Sequence, residues 1–168
     1  WERLATLPEV DLLCPAQLET LETGNRGSIL RLSSGQAIEA RLVIGADGAR
    51  SAVRERVGIG LKGWDYAQHA VVANVRTARS HGATAWQRFL PNGPLAFLPL
   101  YDGRCSIVWS TTPGRARYLL GLEPDEFCAE LSLASEQVLG RVLEVGPRAA
   151  FPLALRYVER YVLPGLAL

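Results

Sequence analysis

Between residues 70 and 110 the sequence is a succession of short segments rich in Val, Ile, Phe and Trp, with turn signals among them. Residues 70–76, 83–89, 95–100 and 105–110 have the length and residue types of strands. Pro91-Asn92-Gly93-Pro94 and Asp102-Gly103 are turns with no room for a crossover helix. The pattern therefore predicts an antiparallel meander, not a set of βαβ units.

The flanks add a different kind of unit. Residues 10–14 are a short apolar segment ended by Pro15. Residues 28–32 alternate in and out, Ser33-Ser34-Gly35 is a turn, and residues 37–40 return as a hairpin partner. Leu42-Val43-Ile44-Gly45-Ala46 is a nearly continuous apolar run, as expected of a strand buried on both faces. It ends in Asp47-Gly48; Ser51 then opens a helix over 52–57, and Gly58 sits where a helix C-terminal glycine belongs. Beyond the meander, Glu123-Pro124-Asp125-Glu126 is a helix start. Phe127, Leu131, Leu139 and Val142 form a stripe that carries the helix to Gly146-Pro147, and residues 149–157 form a last strand. The expected fold class is α+β: an antiparallel-sheet domain over residues 64–168, with a partial α/β portion over residues 1–63.

Composition bounds the function. With 18 Lys+Arg against 17 Asp+Glu the net charge is +1, which argues against a nucleic-acid partner. Hydrophobic residues at 48% and charged residues at 21% are globular values, and no apolar run is long enough to span a membrane. Cys14, Cys105 and Cys128 are widely spaced and fit buried thiols in a reducing compartment. His69 and His81 lack metal-ligand spacing, so no metal site is expected. No G-x-S-x-G elbow disposes the chain to α/β-hydrolase chemistry. A chain of 168 residues that lacks Met, begins at Trp1 and stops at Pro164-Gly165-Leu166-Ala167-Leu168 is expected to be an interior portion of something longer.

Two motifs compete for attention. Gly58-Ile59-Gly60-Leu61-Lys62-Gly63 matches the dinucleotide fingerprint, but it comes after a helix and leads into the strand-like Trp64-Asp65-Tyr66. A phosphate there would face the wrong end of the helix dipole, so a helix stop and loop is the better account. The segment from Gly45 to Arg54 places Asp47 and Gly48 at the carboxyl end of a buried strand, where ligands of open α/β sheets bind. The same spacing also suits an ordinary strand-turn-helix with Ser51 as N-cap. Tyr157 and Tyr161, at helical spacing with Arg156 and Arg160, read as surface or interdomain packing, and Trp86 and Trp109 as core residues.

Leu42-Val43-Ile44-Gly45-Ala46-Asp47-Gly48-x-x-Ser51-x-Val53-Arg54 resembles the second flavin motif of the para-hydroxybenzoate hydroxylase family of flavoprotein monooxygenases. Residues C-terminal to this motif narrow the likeness. Trp64-x-Tyr66-x-Gln68-x-Ala70-Val71-Val72, the run from Ala85 to Leu100 and Ser106-Ile107-Val108-Trp109 are similar to the ubiquinone-biosynthesis hydroxylases. That family's glycine-rich FAD fingerprint would precede Trp1, and its Gly-Asp-Ala-Ala-His motif would lie beyond Leu168.

The resemblance implies an FAD-dependent enzyme that uses NAD(P)H and O2 to hydroxylate the ring of a polyprenylated phenol or quinol. It places Asp47 and Gly48 by the pyrophosphate and ribityl region of FAD, with Arg54 buttressing that turn or helping to receive NAD(P)H. It puts Gln87, Arg88 and Phe89, with Pro99 and Leu100, along the flavin ring and the aromatic pocket; no catalytic residue is assigned. The plain alternative is that Gln87 and Arg88 alternate out of a sheet in which Trp86 and Phe89 pack. The same resemblance implies a bacterial cytoplasmic location, contact with the inner-membrane surface and other ubiquinone-biosynthesis proteins as partners. Taken alone, the 168 residues are expected to hold FAD weakly and to lack hydroxylase activity. Two other readings stay open: a non-catalytic lipid-binding or scaffold protein of the same fold, and a hydroxylase of a soluble aromatic.

Overall fold

The computed structural model describes residues 1–168. The first elements are α1 (Glu2–Ala5), β1 (Leu18–Gly24), β2 (Gly27–Leu32), β3 (Ala37–Ala40), β4 (Val43–Ile44) and α2 (Ala52–Arg56). The middle holds β5 (Leu61–Thr77), β6 (Trp86–Leu90), β7 (Gly93–Pro99), β8 (Cys105–Thr111), α3 (Pro113–Gly121) and α4 (Pro124–Ala134). The chain closes with β9 (Val142–Val145), β10 (Ala149–Val158), β11 (Val162–Leu163) and β12 (Leu166–Ala167). Contacts gather residues 1–63 and 156–168 into one compact unit and residues 64–155 into another. No helix is long and apolar enough to cross a membrane.

In the first unit β1, β2 and β3 form an antiparallel sheet. The β2–β3 hairpin matches the sequence pattern. β1 carries no such signal, because Leu18 and Leu21 are its only apolar side chains; its register comes from β2, with Leu21 opposite Leu30. Residues 10–14 take no regular structure, and Leu13 and Cys14 are exposed, so Cys14 departs from the expected buried thiol. Residues 156–168, grouped by sequence with the second half, pack here because β12 pairs in parallel with β4, Leu166 opposite Val43. β4 is not buried on both faces as expected. Its pleat puts Val43 inside with Leu166 and leaves Ile44 67% exposed, since β12 is its one neighbour in the sheet.

The second unit is a sheet of order β10-β5-β8-β7-β6 with α3 and α4 on one face. β6, β7 and β8 form the expected meander. The strand read at 70–76 is longer, and it pairs with β8, not with β6. The chain leaving β5 is drawn aside: Ala78 N–H donates to Arg141 O and Arg79 N–H to Leu139 O, both at 2.9 Å. Left-handed Gly82 and Ala83 then delay β6 until Trp86.

Sheet residues Val71, Leu95, Phe97, Ile107 and Trp109 meet Leu119 of α3 and Phe127 and Leu131 of α4 in a closed core. α3 is an addition to the sequence expectation, although Thr112-Pro113 is a helix-start signature: Thr112 Oγ1 accepts the Arg115 N–H at 3.3 Å. α4 starts where Pro124 predicts, and Glu126 accepts the Glu123 N–H at 3.0 Å. The helix does not reach Gly146. It stops at Ala134, Glu136 and Gln137 turn left-handed, and Val142–Val145 pairs with β5 as β9. Ser132 Oγ stitches this reversal together, donating to Cys128 O at 2.7 Å and accepting the Val142 N–H at 2.8 Å. Cys105 and Cys128 are buried, which pushes both thiols up.

Two substitutions test this architecture by chemical denaturation. Leu131→Ala, at a fully buried core position, is expected to cost about 2–5 kcal/mol. Gly93 has φ +131°, and a Cβ there would lie 2.6 Å from Ser110 O, so Gly93→Ala is expected to cost about 2 kcal/mol or more. An unchanged midpoint in either variant would contradict the packing described.

Candidate functional site

Parallel strands β4 and β12 end side by side, joined by Val43 N–H to Gly165 O at 2.9 Å and Gly45 N–H to Ala167 O at 2.8 Å. Gly45 is packed tightly: a Cβ there would fall 2.8 Å from Leu168 Cδ2 and 2.9 Å from Val53 Cγ1. Gly48 is the reverse case. Its φ is +79° and a Cβ would meet nothing within 4 Å, so the turn presents open backbone.

Between strand and helix, Asp47 and Ser51 form one hydrogen-bonded unit. Asp47 Oδ2 accepts the Val53 N–H at 3.2 Å, while Ser51 Oγ accepts the Arg54 N–H at 3.0 Å and donates to Asp47. Burial alone would push the Asp47 carboxyl up. The hydrogen bonds from Ser51 and from the Val53 and Ala52 amides outweigh it and hold the group below the usual carboxylate range.

Arg54 is buried at 7% exposure and turned inward. Its Nη1 donates to Ala49 O at 2.8 Å and its Nη2 to Glu55 at 3.1 Å. The guanidinium thus braces the turn. A cleft of about 460 Å³ opens here, lined among others by Gly45, Gly48, Ser51, Arg54, Tyr157 and Tyr161. The two tyrosines are not on a helix: Tyr157 lies on β10 and Tyr161 in the turn before β11. Nothing local in the sequence links them to Asp47. The β12–β4 pairing brings them there.

In the second unit the pleat sorts the other candidates. Trp86 pairs with Phe97 and Arg88 with Leu95, so Trp86 and Arg88 lie on the helix-covered face. Gln87 and Phe89, opposite Ala96 and Pro94, lie on the other face, where Phe89 is 81% exposed. Pro99 pairs with the buried Cys105 and belongs to the helix side, while Leu100 lies in the turn after β7, its N–H donating to Arg104 O at 2.9 Å. The five candidates are therefore not one cluster. Gln87 and Phe89 share the uncovered face with Ala96, Leu98 and Val108, which alternation along β7 and β8 could have revealed. The alternative that packs Trp86 with Phe89 fails as well, because three positions along a strand reverse the side.

Comparison with known proteins places this geometry. The chain is 41% identical over 168 residues to 3-demethoxyubiquinol 3-hydroxylase of Escherichia coli, covering 100% of this chain and 43% of that protein. It is 44% identical over 166 residues to ubiquinone hydroxylase UbiL of Rhodospirillum rubrum, covering 99% and 39%. A third relative, the mitochondrial ubiquinone biosynthesis monooxygenase COQ6 of Schizosaccharomyces pombe, is 35% identical, with 96% and 42% covered. The chain thus spans about two-fifths of the length of these curated relatives.

Among solved structures, p-nitrophenol 4-monooxygenase from Pseudomonas putida shares the fold at TM-score 0.70 and 19% identity, over 99% of this chain and 43% of that one. Aklavinone-11 hydroxylase, solved with FAD and aklavinone, does so at TM-score 0.58 and 22% identity, over 90% and 31%. Residues 16–163 match the FAD binding domain family, and with the Asp47-Gly48 turn opening at the ends of two parallel strands, the chain belongs to that family.

Proposed function

We propose that this chain is part of an FAD-dependent aromatic monooxygenase that uses NAD(P)H and O2 to hydroxylate the ring of a polyprenylated phenol or quinol in ubiquinone biosynthesis. The observation that carries the reading is 41–44% identity, along essentially the whole chain, to two named ubiquinone hydroxylases. In this reading residues 1–63, with the returning C-terminal strands, serve FAD, and the sheet after residue 63 serves the substrate.

The residues at the Asp47 turn fit part of the cofactor. Gly48 leaves the turn surface open, Gly45 lets strand and helix close behind it, and Tyr157 and Tyr161 supply aromatic walls. Asp47, kept ionised, is an acceptor for sugar or ribityl hydroxyls beside the pyrophosphate, and Arg54 holds the turn in shape. FAD, when bound, supplies the redox chemistry and the activation of O2. The protein's part is to orient the ring and keep water out. Gln87 offers an amide, and Phe89, Ala96 and Leu98 an apolar wall, for an aromatic substrate whose isoprenoid tail needs apolar surface. In this reading the protein works in the bacterial cytoplasm at the inner-membrane surface, with other enzymes of the pathway; two of the similar proteins are bacterial.

The decisive measurement is product analysis with the full-length protein, NAD(P)H and O2. A prenylated phenol is expected to gain one oxygen, and to be preferred to its unprenylated counterpart. Preference for the small phenol would favour a hydroxylase of soluble aromatics; failure to bind flavin would favour a lipid-binding or scaffold role.

Acid titration tests Asp47. A lowered folded-state pKa gives stability above the unfolded value, about 4, and that stability is lost as pH falls through the lowered value. Wild-type protein should therefore lose more stability than Asp47→Asn as the pH falls below about 4. Parallel pH curves for the two proteins would remove the hydrogen-bonded carboxylate from the account.

A further inference from the structure

We propose that Arg88 is a positioning residue for the substrate-facing strand β6, acting from the opposite face by clamping that strand to the C-terminal end of α4. The inference rests on the reading of Gln87 and Phe89 as part of the substrate wall.

β6 is the outermost strand of its sheet and is paired on one side only, with β7. Pleating alone does not fix an edge strand firmly. A cavity of about 360 Å³, bounded by Trp86, Arg88, Phe97, Glu136 and Val138, lies on its helix side. The Arg88 side chain borders this cavity and crosses from β6 to the end of α4. Its Nη1 donates to Ala134 O at 2.7 Å and its Nη2 to the Glu136 carboxylate. Ala134 O is one of the last carbonyls of α4, which have no partner within the helix and sit at the negative end of its dipole. A guanidinium fork suits a carbonyl and a carboxylate at once, whereas an ammonium is a point charge.

The acceptors are themselves held. Glu136 and Gln137 are left-handed, at φ +51° and +54°, a conformation that persists only where neighbours enforce it. Here the Gln137 N–H donates to Ser132 O at 3.0 Å, and Gln137 O accepts both Arg79 Nη2 at 2.9 Å and the Gly140 N–H at 2.7 Å. Arg88 thus connects an edge strand to a fixed point. Both its Nη groups are engaged there, so it offers the cavity no open anion receptor. Because Gln87 and Phe89 flank Arg88 in sequence and point the other way, a shift of Arg88 moves both of them.

The test uses the full-length protein with Arg88→Met, Arg88→Lys and Glu136→Gln. In Arg88→Met the KM for the aromatic substrate is expected to rise roughly 10-fold, with kcat within about 3-fold and the FAD content and NAD(P)H KM unchanged. Arg88→Lys should recover part of the loss. Amide exchange over residues 86–90 should quicken in Arg88→Met while that over 105–111 stays slow.

Unchanged exchange overturns the clamp, and faster exchange with an unchanged aromatic KM overturns its role in positioning. If Arg88→Met does not fold, Glu136→Gln, which spares the Ala134 bond, should still raise the aromatic KM about 3-fold; an unchanged KM there overturns the proposal. A wild-type protein that turns over no phenol fails differently: it sinks the functional reading, and with it the assignment of Gln87 and Phe89, while the exchange data still report on the clamp.

Discussion

The first unit depends on a parallel contact only two residues long. Residues from opposite ends of the sequence, Val43-Ile44 and Leu166-Ala167, pair through two backbone hydrogen bonds, and the turn before β12 is locked by side-chain packing. Ser28 Oγ, from the β1–β2 hairpin, donates to Gly165 O at 2.9 Å, and a Cβ at Gly165 would lie 2.7 Å from that oxygen. Glycine is therefore required at 165 for the hairpin and β12 to meet. Their meeting aligns the ends of β4 and β12, and the cleft beside Asp47 exists because those ends align.

The second unit solves a different problem. A five-strand path with two helices on one face buries Val71, Leu95, Phe97, Ile107 and Trp109 on the helix side and leaves Phe89 and Leu98 exposed on the other. Within one strand the two faces have opposite duties. Arg88 ties β6 to the end of α4, and Phe89 on the opposite face remains exposed. If that face meets the substrate as proposed, rigidity on one side serves recognition on the other, since a site 1 Å out of place loses much of its effect.

How much of the fold is legible in the sequence depends on where each signal lives. The β2–β3 hairpin, the Ser51 cap, the start of α4 and the strands β6 to β8 are set by local pattern and turn chemistry, and all are readable. β1 is not, because its alternation is carried by only two leucines and its register is borrowed from β2. Pattern alone runs α4 too far because Leu139 and Val142 continue a helical stripe by coincidence, while the backbone of Val142 is committed to Ser132 and to β5. The partner of β5 escapes a local reading because strand order is a long-range property. At the candidate site, Asp47 and Gly48 are visible as a motif, but the tyrosines that share a cleft with Gly48 are brought in by pairing more than a hundred residues away in sequence. The five sheet residues are neighbours along the chain, and a period of two divides such neighbours between faces.

Five of the arginines are used to hold the backbone. Arg54 donates to Ala49 O, Arg56 to Glu19 O, Arg79 to Gln137 O, Arg88 to Ala134 O and Arg148 to Leu119 O. In each case the guanidinium donates to a main-chain carbonyl in a turn, at a strand or near a helix end. These cations act as cross-links between elements. With a net charge of +1, general attraction for anions is not the driving force the chain presents. It presents instead an ionised acceptor and an open glycine turn in one unit, and an amide beside an apolar wall in the other. Those groups suit sugar hydroxyls in the first unit and an uncharged aromatic ring in the second, the kinds of ligand proposed for them.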